Sequence, residues 1–264
     1  MSTISKFVVI CLVLFVVSLP NAFSKSIEFS ADAVIGAPHQ EPRKSRLFVG
    51  KNAVRRESVV NGQALIEIIF PEKGRAVLIN DQLRSYKERQ FPNQTQDSVH
   101  NPCLQIKHAK CEKLGTETID GIKTEKWQII TPKQGRHVRT LHWIDTKRKL
   151  AIREFFPDGT VSELKMVKKE KLNNRNVEKW QRTVSRPDGQ TLKSYQWYDS
   201  KLKIAIKEEL PGGFTRELMN IDISKQSDAL FNVPDGYMKI NNYGNNISGQ
   251  QINRVNDRRF MYSK

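Results

Sequence analysis

Apolar and polar residues alternate in short runs along most of the chain, and turn-forming pairs separate the runs. Phe29, Ala31, Ala33 and Ile35 alternate with polar or small partners. Leu47 and Val49 follow a polar loop at His39 to Ser45 that contains Pro42. Val54 to Val60 leads into Asn61-Gly62, a strong hairpin signal, and Ala64 to Phe70 returns from it. Pro71 to Gly74 and Asn80-Asp81 bound two further runs, Ala76 to Ile79 and Leu83 to Arg89. From Leu114 onward, Asp120-Gly121, Gln134-Gly135, Asp158-Gly159, Asn173-Asn174, Asp188-Gly189 and Gly212-Gly213 punctuate the same pattern. A period of two between turns predicts antiparallel β-structure and excludes a βαβ alternation. Helical periodicity is weak throughout. Ser224 to Phe231 is the best short helix, with Ser224 or Asp222 as its cap. Gln90 to Lys113 is polar, holds Pro92 and Pro102, and reads as an irregular excursion with one short helix.

The second half repeats itself. Glu125-Lys126-Trp127-Gln128 recurs as Glu178-Lys179-Trp180-Gln181, and Trp143-Ile144-Asp145 as Trp197-Tyr198-Asp199. Ala151-Ile152-Arg153-Glu154 recurs as Ala205-Ile206-Lys207-Glu208. Two copies are too few for a solenoid, so 114–223 reads as two adjacent meanders of one curved sheet.

The N-terminus adds a compartment. Lys6 is followed by an apolar run from Phe7 to Leu19, then Pro20 and Asn21, then Ala22-Phe23-Ser24. This is a secretory signal peptide over 1–24, cleaved near Ser24. The run is shorter than the ~20 residues a spanning helix needs. Cys11 lies inside it, too early for a lipidation site. The expected organisation is the signal peptide, one curved-sheet domain over 25–240, and a polar, basic, loosely attached tail over 241–264.

Charge narrows the partners. The chain carries 44 Lys and Arg against 28 Asp and Glu, a net charge of +16. Such a surface attracts polyanions, and an anionic membrane surface is one candidate. Export argues against nucleic acid, and no recognition helix or zinc finger accompanies the basic residues.

Removal of the signal leaves two cysteines, Cys103 and Cys111. In an oxidising compartment they read as one disulfide. The same segment also reads as a metal-competent set, His100, Cys103, His108 and Cys111, although the spacing fits no standard finger. Among His39, His100, His108, His137 and His142 there is no nucleophile elbow and no metalloprotease helix. No cofactor loop is present, so the chain reads as a binding protein and not an enzyme.

Several of these segments resemble one family, the lipoprotein-carrier (LolA/RseB-like) superfamily of exported bacterial proteins. The resemblance rests on Phe29 to Val34, Leu47 to Lys51, Val54 to Glu57, the Asn61-Gly62 hairpin, the Pro71 turn and Leu230 to Tyr237. Within it, Asn101-Pro102-Cys103, Cys111 and Gly115 to Gly121 are similar to an uncharacterised branch. The resemblance implies a strongly curved antiparallel sheet, an incomplete barrel with a few short helices covering its open side. It also implies a hydrophobic groove for a lipid, an acyl chain or a lipidated protein, in the periplasm. The alternative is an envelope interaction or stress-sensing module that docks a protein or an anionic polymer. On the carrier reading, Trp127, Trp143, Trp180 and Trp197 are the candidate ligand-binding residues, against a plain role as core aromatics.

Overall fold

The structure is a computed structural model, and it describes residues 27–91, 102, 108–133 and 136–240. The expected signal peptide, the tail over 241–264, most of the 90–113 excursion, and His100 and Cys103 lie outside these residues.

Among the described residues, sixteen strands form one sheet. In chain order they are β1 (Phe29–Ala37), β2 (Gln40–Val49), β3 (Val54–Val60), β4 (Gln63–Phe70), β5 (Arg75–Asn80), β6 (Ser85–Gln90), β7 (Lys110–Ile119) and β8 (Ile122–Lys133). Then come β9 (Arg136–Asp145), β10 (Ala151–Phe155), β11 (Val161–Leu172), β12 (Arg175–Ser185), β13 (Thr191–Asp199), β14 (Ile204–Leu210), β15 (Phe214–Asp222) and β16 (Met238–Lys239). The spatial order is β16-β6-β5-β4-β3-β2-β1-β15-β14-β13-β12-β11-β10-β9-β8-β7. Two meanders, β1 to β6 and β7 to β15, therefore join through the antiparallel pair of β1 and β15. The sheet is curved, open, and not closed into a barrel.

Turn chemistry explains the meanders. Asn61 and Gly62 both have positive φ, at 52° and 77°, as a two-residue hairpin of right-handed twist requires. The polar loop expected at His39 to Ser45 is instead strand. Pro38 and His39 make the turn, and β2 pairs with β1 from Gln40. The register slips by one between Ile35 and Ala37, opposite Pro42, which has no N–H for the ladder. The irregular excursion also ends earlier than expected, because Lys110 to Lys113 already pair with β8.

No α-helix occurs among the described residues, so the few short helices expected over the open side are not found. Ser224 to Phe231 contains only a four-residue 3-10 turn, Asp228–Phe231, capped by the Ser227 hydroxyl. Ser224 instead donates its hydroxyl to Asp222. Pro234 limits any extension, since the residue before a proline is driven out of the helical region.

The core changes sides along the sheet. On β1 and β2 the buried residues are Phe29, Ala31, Ala33, Leu47 and Val49, packed with Ile204, Ile206 and Leu218. On β4 and β5 they are Ile66, Ile68, Val77 and Ile79. Register decides the faces. Ile68 pairs with Arg55 of β3, and Arg55 pairs with Phe48 of β2, which alternates with Leu47 and Val49. The isoleucine face is thus the reverse of the Leu47 face.

The chain from Ser224 to Ile240 lies as a strap on the isoleucine face. Leu230, Phe231, Val233 and Tyr237 pack against it. β16 then adds in parallel to β6. Phe231 is 9% exposed, and a side chain of its size contributes roughly 1.5–3 kcal/mol when fully buried. Its ring sits over Gly50, where an added Cβ would lie 2.5 Å from ring carbon Cε2. A Gly50→Ala variant is expected to lose about 1–3 kcal/mol through overpacking. Urea unfolding measures this, and unchanged stability would mean the strap sits elsewhere in solution.

Candidate functional site

The switch of core leaves one face of β1 to β3 uncovered beyond the strap, and there an open groove of about 830 Å³ lies. β1 supplies Asp32 and Val34, and β2 supplies Lys44 and Arg46. β3 supplies Arg55, Glu57 and Val59, and β4 supplies Ala64 and Ile66. Met219 and Asn220 of β15 line one side, and Asp81 of the β5–β6 turn the other.

The charged groups of the groove are mostly paired. Arg46 donates to Asp32 at 2.8 Å and to the Ser30 hydroxyl at 2.9 Å. Asn220 donates to the other Asp32 oxygen at 2.7 Å. The Asn220 amide, then Arg46, hold the Asp32 carboxyl below its usual range. Arg55 donates to Glu57 at 2.7 Å and to the Leu230 carbonyl of the strap at 2.8 Å. The Tyr237 hydroxyl donates to Asp81 at the strap's other end. Between these pairs the lining is aliphatic, and Val59 and Met219 are 70% and 40% exposed. A face on which aliphatic side chains flank a row of fixed polar pairs suits an amphiphile, and the volume falls within the ~300–1,000 Å³ of small-molecule sites.

None of the four tryptophans lines this groove. Trp143, Trp180 and Trp197 are 5%, 1% and 5% exposed. Trp143 and Trp180 share one apolar cluster with Tyr198, while Trp197 belongs to the core of β1 and β2. Trp127 is half-buried on β8, and its indole nitrogen finds no hydrogen-bond partner.

The repeat explains their settings. The Trp143 indole donates to Glu117 at 2.8 Å, and the Trp197 indole donates to Glu170 at 2.6 Å. Lys126 lies 4.9 Å over the first ring and Lys179 4.5 Å over the second. These are the lysines of the two Glu-Lys-Trp-Gln copies. Each covers the indole of the next strand, an attraction of ammonium for ring face.

The turns after Trp143 and Trp197 repeat too. Asp145 accepts from the Lys147 amide, and Asp199 from the amides of Lys201 and Leu202. Lys149 and Lys203 both have φ of 58°. Arg148 ties the copies together: it donates to Asp145 at 2.9 Å and to both oxygens of Glu178 at 2.7 and 2.9 Å. It also lies 5.3 Å over Trp180. Arg148 first, then the Trp180 indole, hold the Glu178 carboxyl below its usual range against the effect of burial. Burial pushes the neighbouring Tyr198 hydroxyl up to about 12.

One polar cluster had no signal in the sequence. Glu154 lies 3.2 Å from His142 Nδ1, and His142 Nε2 lies 3.0 Å from the Thr140 hydroxyl. Burial pushes the Glu154 carboxyl up, but His142, Arg182 and Ser162 outweigh it and hold the group below its usual range. Arg182 binds Glu154, Ser162 and the Ala151 carbonyl together. Those bonds fasten β9 to β12, and none of these side chains reaches the groove.

Of the metal-competent set, His108 and Cys111 are described and His100 and Cys103 are not. His108 is exposed in a turn, and Cys111 lies half-buried on β7.

No family model and no curated protein matches the chain. Solved structures similar to it include a LolA superfamily protein from Nitrosomonas europaea, at 9% identity and a TM-score of 0.35, covering 82% of this chain and 95% of that one. A DUF1329 family protein from Desulfovibrio piger is 15% identical, with a TM-score of 0.29 over 82% of this chain and 94% of that one. MucB is 9% identical, with a TM-score of 0.33 over 83% of this chain and 61% of that one.

The Arg148 bridge gives a pH prediction. Glu178 has a depressed pKa in the fold, so its stabilisation is present above about 4.5 and is lost as pH falls through the folded value. Glu178→Gln is expected to cost about 1–2 kcal/mol at pH 7, less than a fully buried pair because Arg148 keeps Asp145 and part of its solvent. The variant should also lose less stability than the parent between pH 5 and pH 3 (about one unit either side of the ordinary carboxylate range). Denaturant melts at both pH values check this, and equal acid sensitivity would remove Glu178 from the account.

Proposed function

We propose that this chain is an exported, non-enzymatic protein of the bacterial envelope that binds a lipid, an acyl chain or a lipidated protein in the groove of β1 to β4. The observation that carries this is the groove itself. Its apolar residues, Val34, Val59, Ala64 and Ile66, join the isoleucine face through Ile66, and the charges that cross it are already paired. Burying a methylene against such a lining gains about 0.8 kcal/mol, which rewards an acyl chain. The paired charges would meet a polar or zwitterionic head group without being left stranded. The signal-peptide pattern over 1–24 supports export. Cys103 and Cys111, as a disulfide, would then brace the segment before β7.

The net charge of +16 favours a second reading, docking of an anionic polymer or membrane surface. The two separate by ionic strength. Acyl binding in the groove should persist in high salt, whereas polyanion binding falls steeply as the Debye length shrinks.

Fluorescent fatty-acid titration of the mature protein tests the first reading. The parent is expected to bind at about one probe per chain. Ala64→Trp, which fills the floor, should weaken binding at least tenfold with the melting temperature nearly unchanged. No probe binding by the parent would sink the proposal. Unchanged binding by the variant would place the ligand elsewhere.

A further inference from the structure

We infer that Lys44 receives the head group of the groove's ligand, and that this head group is an anion, a carboxylate or a phosphate. The inference rests on the groove reading above and narrows it. Six charged side chains line the groove: Asp32, Lys44, Arg46, Arg55, Glu57 and Asp81. Five of them have partners within the fold. Both Asp32 oxygens accept, one from Arg46 and one from Asn220. Arg55 holds Glu57 and the Leu230 carbonyl, and Asp81 accepts from the Tyr237 hydroxyl. Among the described residues, no hydrogen bond or ion pair holds Lys44.

The register puts this cation in an aliphatic row. Lys44 pairs with Val34 of β1. The next residue, Ser45, pairs with Ser58 of β3, which brings Val59 to the other flank of Lys44. Val59 in turn pairs with Ala64 of β4. Val59 is largely exposed, so the row has apolar surface left to bury. The neighbouring row, Asp32, Arg46 and Glu57, is already committed, since Arg46 holds Asp32 and Arg55 holds Glu57. An ammonium on a flexible stem can turn its three donors to an anion while its methylenes stay on the apolar row. A tail attached to that anion would lie over Val59 and Ala64, beside the paired charges and not across them. A cationic head would meet repulsion at the same place, and an uncharged one would gain nothing from the ammonium.

The test compares heads on one tail. Dodecanoate, dodecyl phosphate and uncharged dodecanol displace a fluorescent acyl probe from the mature protein at neutral pH, where both acids are ionised. The parent is expected to bind at least one of the anions about fivefold more tightly than the alcohol, the upper end of what an exposed ion pair gives. The tighter anion then names the head group. Lys44→Gln should remove that advantage and leave dodecanol binding unchanged, while Lys44→Arg should keep it. Lys193→Gln removes an exposed lysine outside the groove and should keep it as well. An alcohol bound as tightly as both anions overturns the inference and leaves the groove reading intact. So does an anion advantage that survives Lys44→Gln, or one that falls equally in Lys193→Gln, since overall charge would then explain it. A parent that binds none of the three removes the groove reading and this inference with it.

Discussion

The change of core face between β2 and β4 is the constraint on which the rest of the structure depends. A single sheet of this breadth has two faces, and among the described residues the chain that lies on it from outside is the strap. Its first two strands bury Ala31, Leu47 and Val49 against β14 and β15, so their reverse side is left to solvent. Its fourth and fifth strands bury Ile68 and Ile79 on that reverse side, so something must cover them. The strap does so from a distance of well over a hundred residues in sequence. Where strap and solvent meet, the face carries Val34, Val59 and Ala64 beside the paired charges of Asp32, Arg46 and Glu57, and this is the groove.

The second meander serves as a scaffold for the first. Its repeated sequence yields repeated solutions: an indole bonded to a carboxylate two strands back, a lysine of the intervening strand over the ring, and an aspartate that organises the following turn. Arg148 departs from the repeat. Its counterpart, Leu202, is buried, and Arg148 itself spans from the first copy to Glu178 in the second. A buried or half-buried bridge of this kind adds little net stability but strongly disfavours any arrangement that separates its partners. It holds two similar meanders in one relative position.

The hairpins were legible because their turns depend on local chemistry. Asn61-Gly62 and Asp188-Gly189 announce positive φ whatever the rest of the chain does. The side of the sheet on which each strand buries its apolar residues was not legible. Alternation in β1 and in β4 looks the same from sequence, and only the register relates Phe48 to Arg55 and Arg55 to Ile68. The groove was hidden for a related reason. Asp32, Arg46, Arg55 and Glu57 read as ordinary exposed ion pairs until the strap is seen to reach Arg55 and go no further. The tryptophans drew attention by size and repetition, and three of them are packed inside. The expected helix at Ser224 to Phe231 shrank to one 3-10 turn because its apolar residues answer to the isoleucine face and Pro234 follows closely.

The most direct measurement of the central claim is the content of the groove in the protein as cells make it. Protein purified from the envelope without detergent would be extracted with organic solvent and the extract weighed by mass spectrometry. The account predicts an acyl-bearing species near one per chain, lost when Ala64→Trp fills the floor. An extract free of acyl species, or one unchanged by that substitution, would contradict it.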